Sequence, residues 1–144
     1  MLRTYDLFEN VLIDIEKGIR DGINSNILAQ KYSLSEGHLR RLFKFTFKQS
    51  LSDYIRSRRL IESLNDLFKT DAKLIDIALE YGFGYEQSFI RAFKLEFGMT
   101  PGELRKAGHF VKARLPLHLF DEEKFSNGLF MVYFLGKILY SVKK

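Results

Sequence analysis

One pattern occurs twice in the chain, about fifty residues apart. Residues 41–47 read RLFKFTF and residues 91–97 read RAFKLEF, so both copies follow Arg-x-Phe-Lys-x-x-Phe. Upstream, Ala-x-x-Tyr-x-Leu at 29–34 matches Ala-x-x-Tyr-x-Phe at 78–83. Each copy predicts a short amphipathic helix, a tight turn and a second helix with basic residues opposite a Phe face. This is the outline of a helix-turn-helix, present twice.

Composition excludes several classes of protein. The 144-residue chain is 46% hydrophobic, which is enough to build a core in one domain or in two small lobes. It has no Cys, which excludes disulfides, Cys-based zinc sites and thiol catalysis, and agrees with a reducing cytoplasm. Acidic residues interrupt the N-terminal stretch, so it does not resemble a signal peptide. No carboxylate pair, nucleophile with its base or metal cluster is recognisable, so we expect neither an enzyme nor a cofactor.

Positive charge is concentrated in one part of the chain. The formal net charge is +5, and residues 31–59 alone hold eight Lys and Arg against two acidic residues. A basic patch of this kind is typical of proteins that bind an anionic partner, although a solvated helix face would give the same count. The patch covers the first repeat and the segment that follows it.

Periodicity predicts about seven helices and no strands in the first 108 residues. The predicted boundaries are 2–20, 25–32 capped by Asn24 or Ser25, 36–47 capped by Ser35, 53–68 started by Ser50 or Ser52, a helix with Leu74 to Ala78 capped by Asp71, 85–97, and 101–105. Ile27 and Ile75 are predicted to face the core, as are Phe43, Phe47, Phe93 and Phe97 rather than to stack on bases. The helix over 53–68 would connect the two repeats.

Residues 109–144 differ in character from the rest. The stretch 129–140 is strongly apolar, but its twelve residues are too few to span a bilayer, which needs about 20. It could be a strand or short helix packed on the main body, a dimer contact, or the beginning of a further domain. We therefore divide the chain into a domain at 1–108 and a C-terminal extension at 109–144.

The repeats resemble the AraC/XylS family of bacterial transcription regulators, and within it the MarA, SoxS and Rob group. The resemblance covers about residues 5–107. It depends on Ser35-x-x-x-Leu39-x-Arg41-x-Phe43-Lys44, on Tyr54-Ile55-Arg56-x-x-Arg59-Leu60, and on Ile77-Ala78-x-x-Tyr81-Gly82-Phe83 continuing through Ser88-x-x-x-Ala92-Phe93-Lys94-x-x-Phe97-Gly98-x-Thr100-Pro101.

The resemblance implies an all-α protein with two helix-turn-helix subdomains joined by one long connector helix. Such a protein places two recognition helices in adjacent major grooves of double-stranded DNA. Carried over by position, the base-edge readers would be Gly37, Arg40 and Arg41 in the first unit, and Glu86, Gln87, Ile90 and Arg91 in the second. Phosphate contacts would come from Lys31, His38, Lys44, Arg56 and Lys94. The chemistry agrees, because Arg can bind guanine and Gln adenine with two hydrogen bonds each, whereas Ile offers only apolar contact.

The family resemblance also implies partners and a cellular role. We expect a cytoplasmic, sequence-specific transcription regulator, most simply an activator that positions RNA polymerase, with no membrane association and no bound effector. It would bind DNA as a monomer, with a dimer through the C-terminal extension as an alternative. Three departures from the family pattern concern the first unit: Gly37 replaces a large reader, and Ser33 and Lys48 stand where Gly is usual.

Two other functions fit the same residues. A non-specific architectural DNA-binding protein would show the same salt dependence with little sequence preference. A protein-interaction module would use the apolar C-terminal stretch, and its basic patch would be incidental.

Overall fold

The computed structural model describes residues 4–107, and all regular secondary structure in this range is helical. The helices are α1 (Thr4–Gly18), α2 (Ser25–Lys31), α3 (Glu36–Phe47), α4 (Leu51–Lys69), α5 (Leu74–Glu80), α6 (Glu86–Phe97) and α7 (Pro101–Ala107). The predicted all-α fold with about seven helices is confirmed. The predicted C-terminal extension, 109–144, lies outside the described residues.

These residues form two compact units, 4–58 and 59–107, whose boundary falls within α4. The predicted long connector is confirmed, since α4 has 19 residues and contributes to both units. The first unit contains α1, α2, α3 and the first part of α4. The second unit contains the rest of α4 with α5, α6 and α7. Each unit therefore holds one copy of the repeated helix pair.

The core of the first unit is built around aromatic side chains from α1 and α3. Phe8 and Phe43 are fully buried with ring centroids 6.1 Å apart, and the ring of Phe47 lies 4.6 Å from that of Phe43. Tyr54 of α4 contacts the same cluster, with its ring 5.7 Å from that of Phe43. The rings of Phe8 and Phe43 meet edge to face, a geometry that stabilises a core beyond the area that the rings bury. Leu28 of α2 is also fully buried and fixes the helix-turn-helix on this core.

The second unit has a matching core. Phe89 and Phe93 of α6 are fully buried with ring centroids 5.6 Å apart, and Phe97 lies 4.5 Å from Phe93. The predicted core role of Phe93 and Phe97 is thus supported by direct packing. At its end, Thr100 and Glu103 form a reciprocal capping box that starts α7, with bonds of 2.9 and 3.2 Å.

α7 is bonded to the rest of the second unit through Arg105. Arg105 donates hydrogen bonds of 3.0 and 2.9 Å to the carbonyl oxygens of Leu67 and Ala72. These carbonyls belong to the end of α4 and to the loop after it. The last carbonyls of a helix lack partners within that helix, so Arg105 satisfies the end of the connector.

Three local predictions were wrong. Asp71 does not cap α5; Lys73 occupies the cap position and makes no side-chain cap bond. Ile27 and Ile75, predicted to face the core, are exposed. The two isoleucines lie in helices of only seven residues, where one buried turn satisfies the packing and neighbouring apolar positions remain on the surface.

Candidate nucleic-acid interface

The two helix-turn-helix turns are closed by the same pair of backbone hydrogen bonds. In the first, the N–H of Leu34 donates to the carbonyl of Ala29 at 2.9 Å. In the second, the N–H of Phe83 donates to the carbonyl of Ala78 at 2.8 Å. A second bond, from the residue before, completes a Schellman motif in each case. This shared closure fixes the direction in which each recognition helix, α3 or α6, leaves its turn.

Both units require left-handed backbone at the same two places. The turns contain Ser33 at φ 55° and Gly82 at φ 82°, and the recognition helices end at Lys48 with φ 58° and Gly98 with φ 80°. The second unit uses glycine at both positions, whereas the first has side chains that are strained in this region. The predicted departures at Ser33 and Lys48 therefore change the cost of the backbone but not its path.

The first recognition helix exposes a basic face at its start. Ser35 caps α3 by accepting a 3.2 Å hydrogen bond from the backbone N–H of His38, as predicted. Gly37, Arg41 and Lys44 are exposed, and their spacing places them on one side of the helix. A Cβ at Gly37 would lie 3.4 Å from the Arg41 guanidinium, so Gly37 gives that side chain room to move.

Arg40 of α3 differs from Arg41 because its guanidinium is already bonded to other side chains of the protein. Its Nη2 lies 2.6 Å from Glu36 Oε1 and donates to Ser25 Oγ at 3.0 Å. Within residues 4–107 the Arg41 guanidinium, one residue on, makes no hydrogen bond or ion pair. The two predicted arginine readers of the first unit thus differ in their freedom to meet DNA.

The second recognition helix presents the matching face. Gln87, Arg91 and Lys94 are exposed on α6, while Glu86 and Ile90 are partly buried. Gln87 and Arg91 are four residues apart, as are Gly37 and Arg41, so they project from the same side. Arg91 makes no hydrogen bond or ion pair with the described part of the chain. The structure therefore brings the second set of predicted readers together on one helix.

The predicted phosphate contacts have different surroundings. Lys44, Lys94 and His38 are exposed on or beside the recognition helices. Lys31 instead lies 2.8 Å from Asp14 of α1, and Arg56 lies 2.7 Å from Asp53 one turn earlier in α4. Both cations are more than half exposed, and such an ion pair contributes little to stability and can be exchanged for a phosphate. Arg40 is similarly exposed at 54%, but it differs in being bonded also to the buried hydroxyl of Ser25.

Sequence reasoning assigned no DNA contact to three exposed side chains beside these readers. Ser88 and Tyr85 lie at the start of α6, and Tyr85 is 75% exposed. Phe45 is 76% exposed although its neighbour Phe43 is fully buried. The available signal was register, because Phe45 follows Arg41 by four residues and must share its side of the helix.

Comparison with known proteins supports one family. A family model described as "Helix-turn-helix domain" matches residues 28–107. A probable transcription factor PqrA from Proteus vulgaris is 39% identical across 69% of this chain and 87% of its own length. The regulatory protein SoxS from Escherichia coli is 32% identical across 69% of this chain and 92% of its own.

The chain belongs to the AraC/XylS family of helix-turn-helix transcription regulators, in the MarA, SoxS and Rob group. A solved structure agrees with this: a transcriptional regulator with an AraC-type DNA-binding domain from Chromobacterium violaceum. It is 28% identical, with a TM-score of 0.61, and the alignment covers 69% of this chain and 88% of that one. The resemblance in the sequence is thus confirmed for both the family and its fold.

The described residues also bear on membrane spans and metal sites. Between residues 4 and 107, no helix combines the length and apolar character needed to cross a membrane. In the same range, no three His, Asp or Glu side chains are grouped so that they could hold a metal ion.

Proposed function

We propose that the protein regulates transcription by binding a specific double-stranded DNA site through α3 and α6. The observation that carries this proposal is the exposed arginine at the same register of both recognition helices, Arg41 and Arg91. Family membership supports the general function. The assignment of particular side chains to bases and phosphates is carried over by position from the family resemblance, and the exposure and chemistry of these side chains support it.

The second unit supplies the richer set of base-reading groups. Arg91 can donate two hydrogen bonds to guanine in the major groove, and Gln87 can do the same for adenine by donating and accepting. Ile90 can contact a thymine methyl group, and Glu86 can accept a hydrogen bond from cytosine. In the first unit, Arg41 provides the corresponding arginine. Lys44 and Lys94, one turn beyond each arginine, would contact phosphates and fix the register of each helix.

We further infer an activator that acts in the cytoplasm by contacting RNA polymerase, and that binds one DNA site as a monomer. Support for these finer assignments comes from the family and from the two matched units within one chain, which provide two reading helices without a second subunit. The proposal is of a binding protein and assigns no catalysis.

The decisive experiment is selection of preferred duplexes from a random DNA pool at physiological salt. We expect an asymmetric motif with two blocks about one helical turn apart, since adjacent major-groove segments recur at that distance. Salt-sensitive binding without an enriched motif would refute specific recognition and favour an architectural role.

Two variants separate base reading from phosphate contact. Arg91→Ala should weaken binding to the selected site by about 1–3 kcal/mol and relax the preference at one position. Lys44→Ala should weaken binding to all duplexes alike and reduce the salt slope by about one. Affinity titrations of both variants on the selected site and on a scrambled duplex test these assignments. If Arg91→Ala loses affinity equally on both duplexes, the side chain does not read a base.

A further inference from the structure

Glu36 and Arg40 of α3 form a closed polar network with Ser25 of α2. Arg40 Nη2 donates to Glu36 Oε1 at 2.6 Å and to Ser25 Oγ at 3.0 Å, and Arg40 Nε lies 3.3 Å from the same hydroxyl oxygen. The Ser25 hydroxyl donates to Glu36 Oε1 at 2.5 Å. Ser25 is 5% exposed and begins α2, so the network ties the guanidinium to a fixed point on the neighbouring helix.

The order of the two charges along α3 stabilises the ion pair in this network. Glu36 precedes Arg40 by four residues, the order that best stabilises a helical ion pair. Glu36 also lies in the first turn of α3, where a negative charge is favoured by the helix dipole. The hydrogen bond from Ser25, followed by the charge of Arg40, lowers the pKa of the Glu36 carboxyl, so it is ionised at neutral pH.

The second unit lacks this network. The repeat places Glu86 at the position of Glu36, but Ile90 stands where Arg40 does, and α5 begins at Leu74 where α2 begins at Ser25. Neither residue can bridge to the acid. The shared helix-turn-helix fold can therefore form without this arrangement.

We propose that Glu36 determines the specificity of the first unit by holding Arg40 on Ser25, which leaves Arg41 as the arginine of α3 that reads bases. This inference rests on the proposed DNA-binding function and refines the prediction that Arg40 and Arg41 both read. To reach a base, Arg40 would have to leave a carboxylate and a buried hydroxyl, and would leave Glu36 unpaired close to the DNA. Arg41, which has no such bonds within residues 4–107, reaches a guanine without this loss.

The test compares motifs selected from the same random duplex pool by the unmodified protein, Glu36→Gln, Arg40→Ala and the double variant Glu36→Gln/Arg40→Ala. The neutral amide weakens the hold on Arg40. We expect Glu36→Gln to gain a preference at one more base pair in the first block, by about 5- to 150-fold over other bases for a bidentate contact. The double variant lacks the same acidic charge but also lacks the Arg40 guanidinium, so it should not show the additional base preference.

Two control variants distinguish the release of Arg40 from a general effect of removing a negative charge. Glu86→Gln removes the same charge at the same register of the second unit, where Ile90 has no guanidinium to release, so the first block should not change. Arg40→Ala alone should keep the selected motif and lower the thermal midpoint, because the tie between α2 and α3 is lost. Circular dichroism of every variant verifies that the helical fold is retained.

The selected motifs test the role of Glu36 separately from the proposed DNA-binding function. Loss of a base preference in Arg40→Ala would show that Arg40 already reads, and would overturn the role assigned to Glu36. A motif that Glu36→Gln leaves unchanged would overturn it too, while the proposed function would stand. If the unmodified protein selects no motif, the proposed function fails first, and the inference fails with it.

Discussion

Replacement of Glu16 by Gln should strongly destabilise the first unit. Arg58 of α4 donates from Nε and Nη2 to the two carboxylate oxygens of Glu16 in α1, both at 2.7 Å. The Arg58 side chain is only 4% exposed, whereas that of Glu16 is 32% exposed. This two-bond geometry matches the fork of the guanidinium to the carboxylate. Glu16→Gln would remove the negative charge that these two bonds place against the buried guanidinium.

The burial of the two groups sets the magnitude. Removal of one partner of a fully buried ion pair costs about 3–5 kcal/mol, since the remaining charge is not hydrated. Exposed pairs contribute only about 0–1 kcal/mol. Because Glu16 is one-third exposed and water can partly replace its carboxylate, we expect Glu16→Gln to lower the free energy of unfolding by about 2–4 kcal/mol. That is a large share of the 5–15 kcal/mol typical of a domain.

A matched control lies on α4, the helix that carries Arg58. Asp53 and Arg56 form an ion pair of the same 2.7 Å length, but both side chains are 56% exposed. Asp53→Asn removes an equal charge and should cost about 1 kcal/mol or less, including the helix-dipole contribution. Urea denaturation followed by circular dichroism measures both variants. Equal destabilisation by the two substitutions would refute the argument, because distance alone and not burial would then set the strength of the pair.

Backbone strain and acid sensitivity give two further predictions. Lys48→Gly should raise the free energy of unfolding by about 0.5–1 kcal/mol, because glycine adopts the left-handed backbone at this position without strain, and this gain is net of the lost contact between Lys48 and the exposed Phe45 ring. Gly98→Ala should lower the free energy of unfolding by about 1 kcal/mol, because it places a side chain on left-handed backbone. Urea titrations that show the same sign for both variants would contradict this. Burial alone would raise the pKa of Asp14, but hydrogen bonds from Lys31 and Tyr32 hold it below its ordinary value, so its contribution is complete above the unfolded pKa of about 3.9 and is lost as pH falls through the lower folded value. Asp14→Asn should therefore lose less of its thermal midpoint than the unmodified protein between pH 5 and the acid range of about pH 2–3, and an equal loss would refute the assignment.

The fold was predictable because the repeat constrains it at several levels. The Phe spacing, the Ser35 cap and the Gly-x-Thr-Pro end all indicate the same helices, and agreement between local signals makes an assignment secure. The errors occurred where local signals were weak. Asp71 is a good capping residue by type, but α5 starts three residues later, so the carboxylate does not reach the helix start.

The candidate site was predictable in position but not in the state of its side chains. Register alone placed Arg41 and Arg91 on matching faces, since the helical period is fixed. That Arg40 is bound to Ser25 could not be deduced, because the two residues are fifteen positions apart and meet only through the packing of α2 on α3. The partner of Arg58, forty-two positions away, was hidden for the same reason.

The differences between the two units suggest a division of labour in DNA binding. The second unit has glycine at both left-handed positions, so its helix is formed at little cost, and it presents the proposed base readers Gln87 and Arg91 on the same side of that helix. The first unit has strained left-handed backbone at Ser33 and Lys48, has Gly37 where the family pattern implies a large reader, and has Arg40 bonded to Glu36 and Ser25. Yet the basic segment 31–59 belongs almost entirely to this unit. Because phosphate contacts provide affinity while base contacts provide specificity, the first unit is suited to anchoring the protein on DNA and the second to selecting the sequence.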